Sequence, residues 1–387
     1  MSHLEAPGSE VWAEWREYAE KLDAEGDPRG QAILLEHRLR TGEGDAAGLV
    51  QAYRRVERRW GLDGLREDGS WRFTWSRGFL DEARFRAAPH SRPRRGALVE
   101  RLAASSAGAD PADAADPERW EAALIDALLR HPAAARLRRL DLRLTDHHHS
   151  AGRAAAALAE HRRDHLAELR FGHAFEYLYE DATTSTGARF DPMDHYDTGF
   201  AGAETEALWA ALPALRTLEL EGALLFHWVG GEGLTDLRLH GAVRSDGGVL
   251  PGSSARAVTL PNLASLAVET ESDVHGTECP VEQLEELTAG AYPALRSLDL
   301  ARAHFDTGDL QVLRALADTS VLPGLTRLRV RSLEVSPHDA DGDPLAGLAE
   351  LAPRFAHLAL SVAGAVAVEG ADPAEVAATL PLAPWPG

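Results

Sequence analysis

Eight short segments share one arrangement of apolar positions, LxxLxL or a close variant, at 137–142, 166–171, 215–220, 234–239, 263–268, 295–300, 325–330 and 355–360. In six of the eight the last three positions alternate apolar, polar, apolar, and in the other two Ala267 and Ala359 take the middle place, the period of a strand with one buried face. Successive starts lie 29, 49, 19, 29, 32, 30 and 30 residues apart. One such unit cannot bury its own apolar face, so neighbours must stack. Between the strands, 150–165 and 308–318 carry apolar residues at helical spacing, with Ser150 and Thr307 placed as N-caps. Pro213, Pro261, Pro293, Pro323 and Pro353 each stand two residues before the first apolar residue of a repeat. Proline there is expected to end the return helix and begin the extended segment.

The N-terminal region has another pattern. Val11, Trp12, Trp15, Tyr18, Ala19 and Leu22 keep helical spacing. Gly26-Asp27-Pro28-Arg29-Gly30 then breaks that helix and opens a second, with Asp27 as its cap and Pro28 in its first turn. A third helix is predicted over about 47–60. Trp71, Phe73 and Trp75, then Phe79, Ala83 and Phe85, alternate like a hairpin that forms the first edge of the sheet. Residues 103–116 predict a loop, and 120–129 a helix leading into the first repeat.

The repeats resemble the leucine-rich-repeat family over about residues 130–365. That resemblance implies an α/β fold, an irregular leucine-rich-repeat solenoid with a mainly parallel curved sheet. One departure stands out. The position eight residues after the first Leu, which the family fills with Asn or Cys, holds Thr145, Ala174, Ala223, Ala242, Glu271, Ala303, Leu333 and Ala363. The turns therefore close without an asparagine ladder. The stretch around Gly26-Asp27-Pro28-Arg29-Gly30, with Trp15, Tyr18, Ala19 and Leu22 before it and Ile33, Leu35 and Glu36 after it, looks like the repeat-companion motif found ahead of bacterial leucine-rich repeats. It implies a start or cap for the array and no chemistry of its own. The expected organisation is a helical cap over 1–70, a hairpin and helix over 71–130, the solenoid over 131–365 with an insertion at about 172–202, and a C-terminal cap or tail over 366–387.

Charge then narrows the function. Of the 387 residues, 61 are Asp or Glu and 40 are Lys or Arg, a net charge of −21. Residues 1–100 hold 17 basic and 18 acidic residues, so 101–387 hold 23 and 43. Such a surface repels a phosphate backbone, which argues against nucleic acid as a partner. No apolar run is long enough for a membrane span, and the first ten residues lack signal-peptide character, so a cytoplasmic location is expected. A single cysteine, Cys279, excludes an internal disulfide and thiolate-rich zinc sites. Lys21 is the only lysine, so almost every cation is a planar guanidinium suited to carboxylates.

Candidate sites follow from the strand positions that point away from the leucines. One ladder is Asp141, Arg170, Glu219, Arg238, Ala267, Asp299, Arg329 and Ala359. It is flanked by Arg139, Glu168, Thr217, Asp236, Ser265, Ser297, Arg327 and His357, and by Arg143, Gly172, Glu221, His240, Glu269, Ala301, Arg331 and Ser361. Glu219, Glu221, Asp236, Glu269 and Asp299 make an acidic middle, and Arg327, Arg329 and Arg331 a basic row. Cross-strand neutralisation, such as Arg329 with Asp299, is the competing arrangement. The insertion adds Tyr177 and Tyr179 among carboxylates, suited to a basic or aromatic partner segment. His147 and His149 after the first strand, and His161 with His165 four apart on the return helix, are weak metal candidates without an HExxH frame. No phosphate-loop, dinucleotide-binding or hydrolase motif is present.

The expected function is a non-enzymatic protein- or peptide-binding module. It would use the acidic concave face and the insertion and take a basic partner, with no cofactor, nucleic acid or membrane. An inhibitor or immunity protein for a cationic toxin or enzyme is one form of it. The alternatives are a metal-dependent enzyme or accessory factor built on the His and carboxylate cluster at 146–197, and a structural scaffold of a larger assembly.

Overall fold

The computed structural model describes residues 6–8, 11–64, 69, 71–86, 120–144, 150–173, 205–221, 226–241, 248–251, 258–270, 279–340 and 342–385. The chain opens with three helices, α1 (Trp12–Ala24), α2 (Pro28–Arg40) and α3 (Ala46–Trp60). Asp27 caps α2 and Asp45 caps α3 through side-chain oxygens that accept from first-turn amides. A hairpin follows, β1 (Trp71–Ser76) and β2 (Phe79–Arg86). Arg77 (φ 50°) and Gly78 (φ 79°) form its two-residue turn, both left-handed, as the twist of a hairpin favours. Glu36 of α2 accepts from the Arg77 amide at 2.7 Å, which pins the turn to the helices.

From there strands alternate with helices and turns. They are α4 (Trp120–Arg130), β3 (Arg139–Leu144), α5 (Ser150–Glu160), β4 (Glu168–His173), α6 (Thr205–Ala211), β5 (Thr217–Glu221), β6 (Asp236–His240), β7 (Ser265–Glu269) and β8 (Ser297–Arg302). Then come α7 (Asp309–Asp318), β9 (Arg327–Val330), β10 (Leu333–Val335), α8 (Pro344–Phe355), β11 (Ala359–Val362), β12 (Val366–Val368) and α9 (Pro373–Thr379). Ten strands form one sheet in the order β1-β2-β3-β4-β5-β6-β7-β8-β9-β11, while β10 and β12 pair separately. Among the described residues only the hairpin pair of the large sheet is antiparallel; every later pairing is parallel.

The register lines up one leucine from each repeat strand: Leu140, Leu169, Leu218, Leu237, Leu266, Leu298, Leu328 and Leu360. All are buried, and Leu218, Leu266, Leu298 and Leu328 are fully so. They belong to one contiguous apolar cluster that runs from Trp15 in the first helix to Leu380 after the last. The Arg29 guanidinium lies over Trp60 (4.9 Å) and Phe79 (5.5 Å), so the N-terminal helices and the hairpin share a core. His131, after α4, joins the end of α3 through its Nε2 contact with the Trp60 carbonyl (3.2 Å).

Several boundaries differ from the sequence expectation. The return helix after β3 ends at Glu160, five residues before His165. Ser150 lies inside that helix, and the cap position of α7 is Gly308 rather than Thr307, with no side-chain bond. Gly172, placed in the insertion by its spacing, is part of β4. Pro353 does not end its helix but sits within α8, which continues to Phe355. The final strand is accordingly framed two residues later than the repeat suggests: Leu360, not Leu358, stands beside Leu328, and Ser361 stands beside Arg329. Residues 103–116 and most of the insertion lie outside the described residues.

The C-terminal segment covers the last edge. The Ala383 amide donates to the Leu360 carbonyl at 2.7 Å, so the chain beyond α9 bonds to β11. Trp385 then reaches Arg329 (5.6 Å) and Arg327 (6.0 Å).

Candidate functional site on the open face of the sheet

In a strand, successive side chains point to opposite faces. The leucine ladder faces the core, so its neighbours form rows on the other face, and the pairings give their order. The middle row is Arg84, Asp141, Arg170, Glu219, Arg238, Ala267, Asp299, Arg329 and Ser361. Its charges alternate in sign from strand to strand as far as Arg238, and again from Asp299 to Arg329. The row toward the strand starts holds Glu82, Arg139, Glu168, Thr217 and Asp236, and the row toward the strand ends holds Arg86, Arg143, Gly172, Glu221, His240 and Glu269.

The middle strands gather these charges into one cluster. Arg143 ion-pairs with Glu221 and lies 3.7 Å from Glu219 and 3.6 Å from Asp141. Arg170 bonds Glu219 at 2.6 Å and stands 3.7 Å from Glu221. Across the next strand His240 Nδ1 lies between two carboxylates, 3.7 Å from Glu221 and 3.9 Å from Glu269. Glu269 also meets Arg302 (2.9 Å) and Arg238 (3.6 Å). Gly172 makes the cluster possible. A Cβ on it would lie 1.7 Å from the Glu221 carbonyl oxygen, so β4 and β5 approach too closely for any side chain there.

Burial divides the cluster. The side chains of Glu221, Glu269, Arg143 and His240 are only 10–14% exposed, whereas Arg170, Arg238 and Arg302 are 40–63% exposed. Burial raises the pKa of Glu219 above the ordinary carboxylate value, against the pull of Arg170 and Arg238. Burial likewise raises Asp141, against Arg170 and Arg84. Charges this buried are held only where opposite charges and hydrogen bonds offset the loss of water.

The acidic middle expected from the sequence is therefore not a free acidic surface. Glu219, Glu221 and Glu269 are brought together, but each is paired with arginine, and the rows as a whole carry both signs in near balance. Asp236 is exposed on the outer row and accepts from Thr235 Oγ1 (2.7 Å), apart from the cluster. Asp299 faces Arg329 at 3.8 Å, the expected cross-strand pair, and Ala267 separates it from the cluster. The basic row is shorter than expected: Arg327 and Arg329 lie on β9, but the strand ends at Val330 and Arg331 falls beyond it. Tyr177, Tyr179, His147 and His149 lie outside the described residues.

Arg143, Arg170, Arg238 and His240 were visible as ladder positions, and alternation of sign along the ladder was the signal for their role. Arg302 was not visible, because a register shift between Ala267 and Glu269 pairs it with Glu269 in place of Ala301. Trp385 sits 56 residues from Arg329 in sequence, and no local pattern connects them.

The histidine expectation changes as well. With α5 ending at Glu160, His161 and His165 do not share a helix face. His161 instead lies near Asp126 and Glu160, donor atoms close enough for a metal. Arg130 occupies that place: its Nε is 2.9 Å from both Asp126 oxygens and its Nη2 pairs with Glu160. Burial lowers the His161 pKa, and Arg163 and Arg130 lower it further. The trio is an arginine ion-pair site on the helix side, not a continuation of the open face.

No protein-family model matches the chain, and no curated protein matches it significantly.

Proposed function

We propose that the chain is an irregular leucine-rich-repeat array acting as a non-enzymatic protein- or peptide-binding module, with the open face of its sheet as the contact surface. One observation carries this reading. Parallel sheets are ordinarily covered on both faces, and here the face opposite the leucine core carries a charged mosaic in the three rows beside the ladder. A rigid sheet that presents guanidinium forks and carboxylates at fixed spacing suits a polar partner of mixed charge. The net charge of −21 attracts a basic partner over long range. Docking on this face, however, requires a partner that matches both signs. The repeat-companion resemblance of the N-terminal helices supports the same reading, because those helices share the core of the array.

The test is a comparative pull-down from the native cytoplasm. Wild type is set against an open-face variant, Arg238→Glu with Glu168→Arg, and against a back variant, Glu350→Arg on α8. A partner retained by wild type and the back variant and lost with the open-face variant is expected. A partner retained equally by all three overturns the assignment of the surface.

A further inference from the structure

The two ends of the sheet carry surfaces of opposite charge. At the first end, α3 turns Ala52, Tyr53, Val56, Glu57 and Trp60 inward. Arg54, Arg55, Arg58 and Arg59 are left exposed, and the spacing i, i+1, i+4, i+5 keeps them on one side of the helix. Among the described residues none of the four has an acidic partner. Arg55 donates to Gln31, and Arg58 donates to the Arg54 carbonyl (3.4 Å). Val50, one turn before Arg54, is 51% exposed. In a chain of net charge −21 this is the reverse of the average surface.

At the other end β10, β12, α9 and the segment after it enclose a groove of about 810 Å³. Val335, Val368 and Val376 are its buried apolar lining, and Val366 (42%) and Leu382 (37%) stay exposed at its mouth. Glu334, Asp339 and Glu369 supply carboxylates around it. An apolar groove with an acidic rim fits an apolar side chain flanked by cations, and arginine forks fit carboxylates better than any other cation does.

We propose that these surfaces are the two halves of one contact between copies of this chain: the arginine face of α3 in one copy seats on the acidic groove of the next, with Val50 against Val366 and Leu382. A second copy is the occupant because the same chain supplies both halves at opposite ends of the sheet, β1 at one edge and β11 at the other. A single molecule cannot bring them together. The contact is heterologous, so it adds copies head to tail.

Sedimentation of the 387-residue chain tests this at two salt levels, about 0.01 M and about 0.1 M, where the Debye length is about 30 Å and about 10 Å. The weight-average mass should rise above the 41.8 kDa monomer with concentration at low salt and fall back at the higher level. Arg54→Glu with Arg58→Glu should weaken association roughly tenfold or more, as should Glu334→Arg with Glu369→Arg. All four residues are exposed, and unchanged melting checks that the variants fold. Mixing the two variants should restore association into chains of alternating copies, because the reversed head then meets the reversed groove and the unchanged head meets the unchanged groove. A monomer under all conditions, an association indifferent to both variants, or a mixture that fails to pair overturns the proposal. So does a mass increase that nuclease abolishes, since the arginine face would then be reading a polyanion.

Discussion

Asp27 and Arg29, two residues apart, close on one another within the first turn of α2: the Arg29 Nη2 lies 2.7 Å from Asp27 Oδ2, and Nε lies within 3.1 Å of both carboxylate oxygens. The same carboxylate accepts from the Arg29 amide at 3.0 Å as the helix cap. The Arg29 side chain is buried (6% exposed) and that of Asp27 nearly so (10%), and the guanidinium continues to Tyr18 (3.2 Å) and over Trp60. One short motif thus caps a helix, neutralises a buried cation and joins the helices to the hairpin.

Asp27→Ala should therefore cost far more than a lost cap. Removing a cap costs about 1 kcal/mol, whereas stranding a buried charge costs about 3–5 kcal/mol. Denaturant unfolding should show the larger figure, and Asp27→Asn, which keeps a capping oxygen, should recover only part of it. A loss of about 1 kcal/mol for the alanine variant would mean that Arg29 finds another partner or water.

Gly172→Ala should destabilise the protein strongly, by about 3 kcal/mol or more, because its methyl would collide with the Glu221 backbone. β4 and β5 would have to separate, which also pulls Arg170 from Glu219. Hydrogen exchange should show the loss first in these two strands. Wild-type melting for this variant would show that the strands are not so closely apposed.

Stability should fall as pH drops below about 6.5, and His131 should account for part of the slope. Its Nδ1 accepts from the Ala133 amide (3.0 Å) and its Nε2 meets the Trp60 carbonyl (3.2 Å), so both nitrogens are used by the neutral ring. Burial, only partly opposed by the Trp60 carbonyl, lowers its pKa from the ordinary 6.5. A lowered folded-state value means that the unfolded chain binds the extra proton first. The stabilisation is complete above 6.5 and is lost progressively toward the folded-state value. His131→Gln should be less stable at neutral pH and show a shallower slope over that window. An unchanged slope would rule out this histidine as its source.

Cys279 should behave as an inert core thiol. It is 2% exposed, and burial, reinforced by Asp306, Glu286 and Glu282, raises its pKa to about 12. A thiol reagent at pH 8 should label it only after unfolding, because the thiolate is the nucleophile. Rapid labelling of the native protein would contradict this burial.

Much of the site was legible as positions but not as interactions. The ladders through Arg170 and Glu219 came directly from the alternation around each leucine, since period two assigns every residue to a face. Whether Glu221 stood free or paired depended on Arg143, which is 78 residues away in sequence. No local pattern reports how deeply that pair is buried.

The sequence by itself determined which side chains line the core, where the hairpin and the Asp27-capped helix begin, and that one apolar face repeats along the chain. Those features follow from local spacing, capping oxygens and turn chemistry. The tertiary structure decided the frame of the last strand, because a shift of two residues leaves every side chain on the same face and no periodicity distinguishes Leu358 from Leu360. It also decided that the expected acidic face is a neutralised mosaic. Ion pairing depends on which strands lie side by side and on the register shift that brings Arg302 to Glu269, and these are relations between segments rather than properties of any one of them.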